Sequence, residues 1–295
     1  MARTSSDTRE APSSAADGAR WLARARAFSE AGDRDAAARC CELALDLDQA
    51  DKAASQLLRS LFFHGDRYHQ VLERVHRWLQ PRTYLEIGVA AGDALKLVQP
   101  GTRAIGVDPQ PRINFPLPDN VRVFAQPSDE FFARTDVRRE LGGQPIDLAF
   151  IDGLHHFDAV LRDFVNIERL CHPGSVVLIH DCLPWTRKTA SRTCTTLLWT
   201  GDVWRALVLL TKHRPDLTIH TLATPPTGLG VVTNLNPMSR VLGERLPALI
   251  TDGLGLDFSY LEIDRAAKLK VVENNEATIR RLIGLTPQPD GVCLS

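Results

Sequence analysis

The fold is decided by residues 83–92, TYLEIGVAAG, in which a short apolar strand runs directly into a glycine turn. A second apolar run, residues 104–107, ends at Asp108. Further strand-like runs lie at residues 121–124, 146–151, 175–179, 217–222 and 228–233. We expect the last two to pair antiparallel at a sheet edge. A helix-period stretch, residues 157–171, follows the run that ends at 151. Apolar strands that alternate with helices predict an α/β fold, a doubly wound parallel sheet covered on both faces.

Helical segments flank the predicted sheet. Residues 21–63 are expected to form a helical N-terminal extension that resembles a single tetratricopeptide hairpin. Residues 1–20 lack hydrophobic periodicity and are predicted to be a disordered tail. Residues 64–250 are assigned to the α/β domain. Residues 251–295 are predicted to form a C-terminal helical segment that could provide a contact in a homo-oligomer.

The charge balance narrows the choice of partners. The 295 residues include 35 Lys and Arg against 36 Asp and Glu, which leaves a formal net charge of −1. Such a chain has no general field to attract nucleic acid or an anionic membrane surface, so neither is an expected partner. No apolar run is long enough to cross a bilayer, and the first residues lack the apolar core of a signal peptide. We therefore expect a soluble, cytoplasmic protein whose partner is a small molecule.

The glycine turn indicates the kind of ligand. Doubly wound sheets bind ligands outside the carboxyl ends of their strands, and Gly88 and Gly92 would let the backbone approach such a ligand closely. Asp108 follows Gly88 by 108 − 88 = 20 residues, the spacing of an acid that accepts ribose hydroxyls. The turn lacks the G-x-G-x-x-G of a dinucleotide site, and Glu86 would repel a pyrophosphate. A cationic nucleoside is therefore favoured, although Glu86 could also be a surface or helix-capping acid.

The turn together with Asp108 resembles motif I of the class I S-adenosylmethionine-dependent methyltransferases, whose sheet is Rossmann-like. The resemblance implies that Glu86, Gly88, Gly92 and Asp108 hold S-adenosylmethionine, with Asp108 as the ribose-binding acid. Two further residues, Ser128 and Asp129, fall where that family holds the adenine. A purely structural role for these last two is an equally good interpretation.

The second half of the predicted domain carries a more specific resemblance. Residues 152–157 read DGLHHF, residues 173–174 read PG and residues 180–181 read HD. This pattern resembles the macrocin O-methyltransferase and cephalosporin hydroxylase-like family, over roughly residues 66–235. The resemblance implies an S-adenosylmethionine-dependent O-methyltransferase that acts on a hydroxyl of a small molecule or glycosyl unit.

The chemistry of methyl transfer explains why these residues would be grouped. A hydroxyl is a poor nucleophile at neutral pH and needs a general base, a metal ion, or both. Asp152 and Asp181 are expected on neighbouring strand ends, where they could share Mg²⁺. His155 is the candidate base, because the positive end of the following helix would lower its pKa and keep it neutral. Relatives commonly carry an acid where His180 stands, so a borderline metal bound with His180, a two-carboxylate Mg²⁺ site and no metal all remain open.

Residues beyond the fifth strand are candidates for binding the acceptor. Arg187 and Lys188 could recognise an acidic acceptor, and Trp199 and Trp204 could form a wall beside it. The two tryptophans could equally anchor the helix predicted at residues 203–212 in the core. Two other functions also stay open. One is a related enzyme of the hydroxylase type that does not methylate, and the other is a binding or scaffold protein on a retained fold.

Overall fold

The computed structural model describes residues 15–196 and 198–285. The chain divides into two compact units, Met1–Phe62 and Phe63–Ser295. The described part of the first unit is helical, with α1 at Ala15–Glu30, α2 at Arg34–Leu47 and α3 at Lys52–Phe62. α1 packs on α2, and α2 packs on α3. A third helix thus follows the pair that was predicted as a single hairpin.

The start of α1 corrects the prediction of a disordered tail over residues 1–20. Residues 15–20 are helical, and residues 1–14 lie outside the described part of the chain. The helix begins with two alanines, the strongest helix formers, and has Asp17 in its first turn. An acid at that end interacts favourably with the helix dipole. These local preferences extend the helix beyond the residues that show hydrophobic periodicity.

The second unit contains one eight-stranded sheet in the order β3-β2-β1-β4-β5-β7-β6-β8. The first five strands along the chain pair in parallel, and β7 is antiparallel to both of its neighbours. The strands are β1 (Thr83–Ile87), β2 (Arg103–Asp108), β3 (Val121–Ala125), β4 (Ile146–Ile151), β5 (Cys171–His180), β6 (Thr218–Leu222), β7 (Leu229–Thr233) and β8 (Val271–Val272). The α/β fold class is confirmed: the sheet is doubly wound and Rossmann-like, and a helical N-terminal extension precedes it.

Helices cover both faces of the sheet. Leu85 and Ile87 of β1 face a core that includes Phe157 and Leu207, while Tyr84 faces a second core with Val71. The helices of this unit are α4 (Tyr68–Leu79), α5 (Ser128–Arg134), α6 (Val137–Glu140), α7 (Phe157–Glu168), α8 (Trp204–His213), α9 (Val241–Leu254), α10 (Arg265–Lys268) and α11 (Glu276–Leu282). Within the described residues, no helix has both the length and the apolarity to cross a membrane.

The late strands confirm one prediction and correct another. β6 and β7 form the expected antiparallel pair, but β6 also pairs in parallel with β8, which forms the sheet edge. The segment 251–295, predicted to be helical, therefore contributes a strand, and its predicted start lies inside α9. A two-residue strand is too short to show alternation in the sequence, so the pattern could not reveal it.

Candidate active site

A cavity of about 720 Å³ lies at the carboxyl ends of β1, β2, β4 and β5. Such an edge is where doubly wound sheets bind their ligands. The predicted residues that line it are Glu86, Gly88, Asp108, Ser128, Asp129, Asp152, His155, His180 and Asp181. Gly92 does not line it, and an added Cβ at that position would meet the ring of Phe115. The sheet thus brings nine of the ten predicted residues around one cavity.

Gly88 is required by the backbone of the turn. Its φ angle is +90°, in a region that side chains disfavour, and an added Cβ would overlap the backbone carbonyl of Asp152. Its N–H donates to the carbonyl of Val107 at 2.8 Å, and the N–H of Asp152 donates to Ile87 at 2.8 Å. The ends of β1, β2 and β4 therefore meet at a point where only glycine fits.

Replacing Gly88 with alanine is expected to destabilise the fold. The left-handed backbone costs about 1–2 kcal/mol for a residue with a Cβ, before the overlap with Asp152 is counted. We expect urea denaturation to show a loss of at least about 2 kcal/mol in the free energy of unfolding. Gly101→Ala is the matched control, because an added Cβ there meets nothing within 4 Å. Equal stability of the two variants would contradict the role given to Gly88.

Asp108 ties the end of β2 to the glycine turn. Its Oδ2 accepts hydrogen bonds from the backbone N–H groups of Val89, at 3.0 Å, and Ala90, at 2.8 Å. Its Oδ1 accepts one from the N–H of Gln110 at 2.7 Å. The acid predicted to bind a ribose therefore also orders the turn that shapes the cavity. Its replacement would affect both the turn and any ligand on it.

Glu86 is a buried carboxyl on the wall of the cavity, with 1% of its surface exposed. The hydroxyl of Tyr84 donates a hydrogen bond to Glu86 Oε2 at 2.9 Å. Burial, together with the smaller effect of the carboxylates of Asp152 and Asp108, raises the pKa of Glu86 to about 8, against the hydrogen bond from Tyr84, which lowers it. A cation that enters this cavity would stabilise the ionised carboxylate and reverse that shift.

Two acids and two histidines form a compact cluster on β4, β5 and the loop after β4. His155 Nε2 lies 3.0 Å from Asp181 Oδ2 and 3.4 Å from Asp152 Oδ1. His180 Nδ1 lies 3.1 Å from Asp152 Oδ1 and 3.3 Å from Asp181 Oδ2. His155 and Asp181 both have positive φ angles, 56° and 59°. Such strained conformations are typical of functional sites.

The donor atoms of this cluster fit a metal ion. One donor atom from each of Asp152, His155 and Asp181 lies within 4.8 Å of the other two. Asp181 Oδ2 is buried and accepts no hydrogen bond from the described residues. His155 Nδ1 lies 3.1 Å from the carbonyl of Trp199, which can only accept, so Nδ1 donates. The lone pair of Nε2 then faces two carboxylates, and either a proton or a cation must lie between them.

The direction predicted for the pKa of His155 was wrong. Burial alone would lower the pKa of its imidazole, but the hydrogen bond with Asp152 and the charge of Asp181 outweigh burial and raise it. The same two carboxylates raise the pKa of His180 well above its usual value, against the effect of burial. α7 begins only at Phe157, so its positive end is weaker at His155 than two carboxylates in contact with the ring.

The loop between β5 and α8 contacts His155 through ring stacking and a backbone hydrogen bond. The ring of Trp199 stacks on His155 at 5.1 Å between centroids. Asp202 is fully buried and accepts a hydrogen bond from the N–H of Phe157 at 2.9 Å, and its own N–H donates to the carbonyl of His155. This loop therefore holds both the imidazole and the start of α7 in place.

The residues suggested for the acceptor separate in the structure. Trp199 lines the cavity, whereas Trp204 is buried in the core of its unit and stacks on Tyr260. Arg187 does not line the cavity and instead pairs with Asp257 and Glu262, both at 2.8 Å. The wall interpretation thus holds for Trp199 and the core interpretation for Trp204.

Some cavity residues come from helices rather than from strand ends. Tyr68 and His69 reach the cavity from α4, and the ring of Tyr68 lies 3.9 Å from that of His180. Arg162 and Asp163 reach it from α7. For the last two, the sequence carried a signal that was not used: two adjacent charged residues interrupt the apolar stretch from residue 159 to residue 165 of this helix.

Comparison with known proteins finds one family that part of this unit matches. Residues 85–182, about a third of the chain, match the family described as a methyltransferase domain. The match runs from β1 to the residue after Asp181, so it includes the glycine turn and the acid and histidine cluster. A search of curated protein sequences finds no match.

Similar solved structures include three with bound cofactor or cofactor product. One is cofactor-bound Rv0187 from MTB, with 18% identity and a TM-score of 0.45, over 65% of this chain and 94% of that one. Another is the O-methyltransferase TomG from Streptomyces achromogenes in complex with SAM. It has 17% identity and a TM-score of 0.43, over 75% of this chain and 99% of that one. The third is the O-methyltransferase from Bacillus cereus in complex with SAH. It has 14% identity and a TM-score of 0.42, over 73% of this chain and 98% of that one.

Proposed function

We propose that the chain is an S-adenosylmethionine-dependent O-methyltransferase. One observation carries the proposal: a single cavity joins a nucleoside-type turn, with Gly88 and Asp108, to a cluster that can activate a hydroxyl, with Asp152, His155 and Asp181. Methyl transfer needs both parts side by side, because the sulfonium methyl must lie in line with the attacking oxygen. The match of residues 85–182 to the methyltransferase domain family supports the same reading.

The cofactor half of the cavity is assigned from charge and hydrogen bonding. Asp108 would accept the ribose hydroxyls, and Gly88 would leave room for the nucleoside against the backbone. Glu86 offers a buried carboxylate to the cationic end of the ligand. Ser128 and Asp129, which begin α5 after the end of β3, would lie beside the base. When bound, S-adenosylmethionine supplies the reactive methyl group.

The acid and histidine cluster is the proposed site of hydroxyl activation. Asp152, His155 and Asp181 would hold a divalent metal ion, which when bound lowers the pKa of a hydroxyl coordinated to it. The site offers two oxygen donors and one nitrogen donor, and a nitrogen donor makes it less selective for Mg²⁺ than an all-oxygen site would be. A borderline ion such as Mn²⁺ therefore fits it equally well. Without a metal, His155 Nε2 holds a proton against the carboxylates of Asp152 and Asp181, and it becomes the base for the acceptor hydroxyl only after that proton is released.

The cavity favours a neutral acceptor. Among the described residues Arg162 is the single guanidinium that lines it, and its charge is engaged with Asp158 at 3.1 Å and Asp129 at 3.5 Å. The positive charge beside Asp152 and Asp181, from His155, His180 or a bound metal ion, is already paired with these carboxylates and leaves no further cation for an anionic acceptor. We therefore propose a neutral hydroxyl of a small molecule or glycosyl unit as the acceptor, in keeping with the macrocin-type resemblance.

Screening hydroxylated compounds with S-adenosylmethionine labelled in its methyl group tests this function. The expected product is an acceptor that carries the label and gains the mass of one methylene. A product that gains one oxygen and no label would instead support the hydroxylase-type alternative. Unchanged acceptors across a broad panel, with intact cofactor binding, would favour a binding protein.

Cofactor binding is expected to strengthen as the pH rises. Burial raises the pKa of Glu86 to about 8, so the carboxyl is mostly protonated below that pH and must ionise to attract the sulfonium and ammonium groups. Because the attractive form is the one that gains population with pH, the Kd should fall by up to about tenfold per unit from about pH 6 to about pH 7.5. Calorimetric titrations across this range would measure it. Glu86→Gln should remove the dependence, and an unchanged slope in that variant would contradict the assignment.

A further inference from the structure

Arg192 lies in the loop between β5 and α8 and reaches back to the start of α7. Its Nη2 lies 2.6 Å from Asp158 Oδ1, and its Nη1 lies 3.1 Å from Asp202 Oδ2. Its guanidinium also lies over the ring of Phe157, 5.7 Å from the ring centroid. Arg192 does not line the cavity, and the proposed reaction gives its side chain no direct part.

The main chain at Arg192 and its neighbour fixes Trp199 and His156. The indole Nε1 of Trp199 donates to the carbonyl of Ser191 at 2.6 Å. The carbonyl of Arg192 accepts a hydrogen bond from His156 Nε2 at 3.1 Å. The carbonyl of Trp199 accepts the hydrogen bond from His155 Nδ1. Arg192 is thus connected to the imidazole of His155 through the adjacent residue and one indole.

A second connection between Arg192 and His155 runs through Asp202. The carboxylate of Asp202 accepts hydrogen bonds from Arg192 and from the N–H of Phe157, the first residue of α7. The N–H of Asp202 donates to the carbonyl of His155 at 3.2 Å. Asp202 therefore holds both ends of the segment 155–157, and Arg192 holds Asp202.

His155 depends on such contacts because its backbone is strained. Its φ angle is 56°, in the left-handed region that a residue with a Cβ occupies at a cost. Gly201 of the same loop packs against His155 so closely that an added Cβ would overlap the carbonyl oxygen. A strained conformation persists only where the surrounding structure over-determines it. The loop supplies these surroundings, and Arg192 ties the loop to α7.

Removal of the Arg192 side chain would leave both of its acids with another partner. Asp202 is fully buried, but Arg205 Nη1 also lies 2.9 Å from its Oδ2. Asp158 also pairs with Arg162, at 3.1 Å. Breaking a buried ion pair is strongly destabilising when the remaining charge has no partner, and neither acid is left in that state. The loss of Arg192 is therefore expected to change the position of the loop more than the stability of the fold.

We propose that Arg192 is a positioning residue, which anchors the loop between β5 and α8 on the start of α7 and thereby holds His155 and Trp199 beside the acceptor hydroxyl. The proposal rests on the proposed function, because it takes a hydroxyl to be activated at His155. Position matters at this step, since the reacting atoms must lie about 3–3.5 Å apart and a displacement of about 1 Å can cost about 10²-fold in rate. Arg192 acts through these two residues and contacts neither the methyl donor nor the acceptor.

Three variants of the full chain separate positioning from folding. Arg192→Met keeps an unbranched side chain and loses both ion pairs, while Arg192→Lys keeps the charge but lacks the planar fork that holds two carboxylates. Arg134→Met is the matched control, because Arg134 pairs with Glu130 at 3.1 Å outside the cavity. All three are expected to bind S-adenosylhomocysteine within about twofold of wild type and to melt within about 4 °C of it, as for the loss of a partly exposed ion pair.

The indole N–H of Trp199 reports the position of the loop by NMR. The chain has five tryptophans, and Trp199→Phe assigns the signal. Because this N–H donates to the carbonyl next to Arg192, its signal should move or broaden in Arg192→Met by more than any other indole signal. Hydrogen exchange at the amides of Phe157 and Asp202 should accelerate by at least about tenfold in the same variant. Arg134→Met should change neither measurement.

The rate of methyl transfer shows whether this position matters for the reaction. With an acceptor identified by the labelled-cofactor screen, single-turnover transfer should slow by about 10–10²-fold in Arg192→Met, with partial recovery in Arg192→Lys. The loss should appear in kcat, while the KM for S-adenosylmethionine stays unchanged. Arg134→Met should keep the wild-type rate.

An unchanged Trp199 signal with unchanged amide exchange in Arg192→Met would overturn the role of Arg192, and so would a wild-type transfer rate in that variant. Melting lowered by more than about 4 °C together with weakened binding of S-adenosylhomocysteine would replace it with a purely structural role. Wild-type protein that does not bind S-adenosylhomocysteine, or that methylates no acceptor, would overturn the proposed function and the positioning role with it. The NMR and exchange measurements need neither ligand, so the two failures are distinguishable.

Discussion

Replacing Asp181 with asparagine is expected to lower the rate of methyl transfer by about 10²–10⁴-fold, the range found when a positioned acid–base group is lost. Asp181 Oδ2 is buried and lies 3.0 Å from His155 Nε2, so the substitution removes the charge that either holds a metal ion or stabilises the protonated imidazole. The Kd for the cofactor should change by less than about threefold, since no hydrogen bond joins Asp181 to the glycine turn. Single-turnover kinetics with the labelled cofactor would measure the transfer step, and calorimetry the binding.

The matched control for this prediction is Asp119→Asn. Asp119 is an exposed acid that lies outside the cavity, so its substitution should leave both rate and binding unchanged. Treatment with EDTA separates the two roles of the cluster. Loss of activity that returns with added Mg²⁺ or Mn²⁺ identifies the cluster as a metal site, while full activity after EDTA leaves His155 as the base. Wild-type rates in Asp181→Asn would contradict both roles.

Asp108→Ala is expected to weaken cofactor binding by at least about a hundredfold. The carboxylate would bind the ribose hydroxyls and also accepts the N–H groups of Val89 and Ala90, so the variant loses the ligand contact and the order of the turn together. Hydrogen bonds to a charged group contribute about 1.5–3 kcal/mol each, and two ribose bonds therefore account for an effect of this size. Calorimetric titration with S-adenosylhomocysteine would measure the change.

The control for Asp108 must separate binding from folding. Loss of the two turn hydrogen bonds is expected to lower the free energy of unfolding by about 1–3 kcal/mol, which urea denaturation can detect. Asp108→Asn keeps an oxygen that can accept from the turn, so it should be more stable than the alanine variant and still bind the cofactor weakly. A folded Asp108→Ala protein with wild-type affinity would contradict the assignment of Asp108.

The strand ends were the most predictable part of the site. Parallel strands bring their carboxyl ends to one edge, so residues placed after β1, β2, β4 and β5 in the sequence had to lie close together. Gly88 and Asp181 could be assigned to this edge from sequence position alone. The side of the cavity formed by α4 and α7 could not, because the rotation of a helix about its axis depends on packing that the sequence pattern does not specify.

Two errors have identifiable physical causes. β5 begins at Cys171 rather than at Ser175, because the register between β4 and β5 shifts around Pro173 and Gly174, two residues that normally indicate a break. The pKa of His155 depends on distances of 3.0 and 3.4 Å to carboxylates from two strands, and the sequence contains no such distances. Local signals therefore identified the elements, while the electrostatics of the site required their arrangement in space.

Calorimetric titration of the full wild-type chain with S-adenosylmethionine is the most direct test of the cofactor on which the proposed function depends. The expected result is saturable binding at a single site per chain, much weakened in Asp108→Ala and retained in Asp181→Asn. Absence of binding by folded wild-type protein at neutral pH, with or without added Mg²⁺, would contradict the proposal that this cavity is a methyltransferase active site.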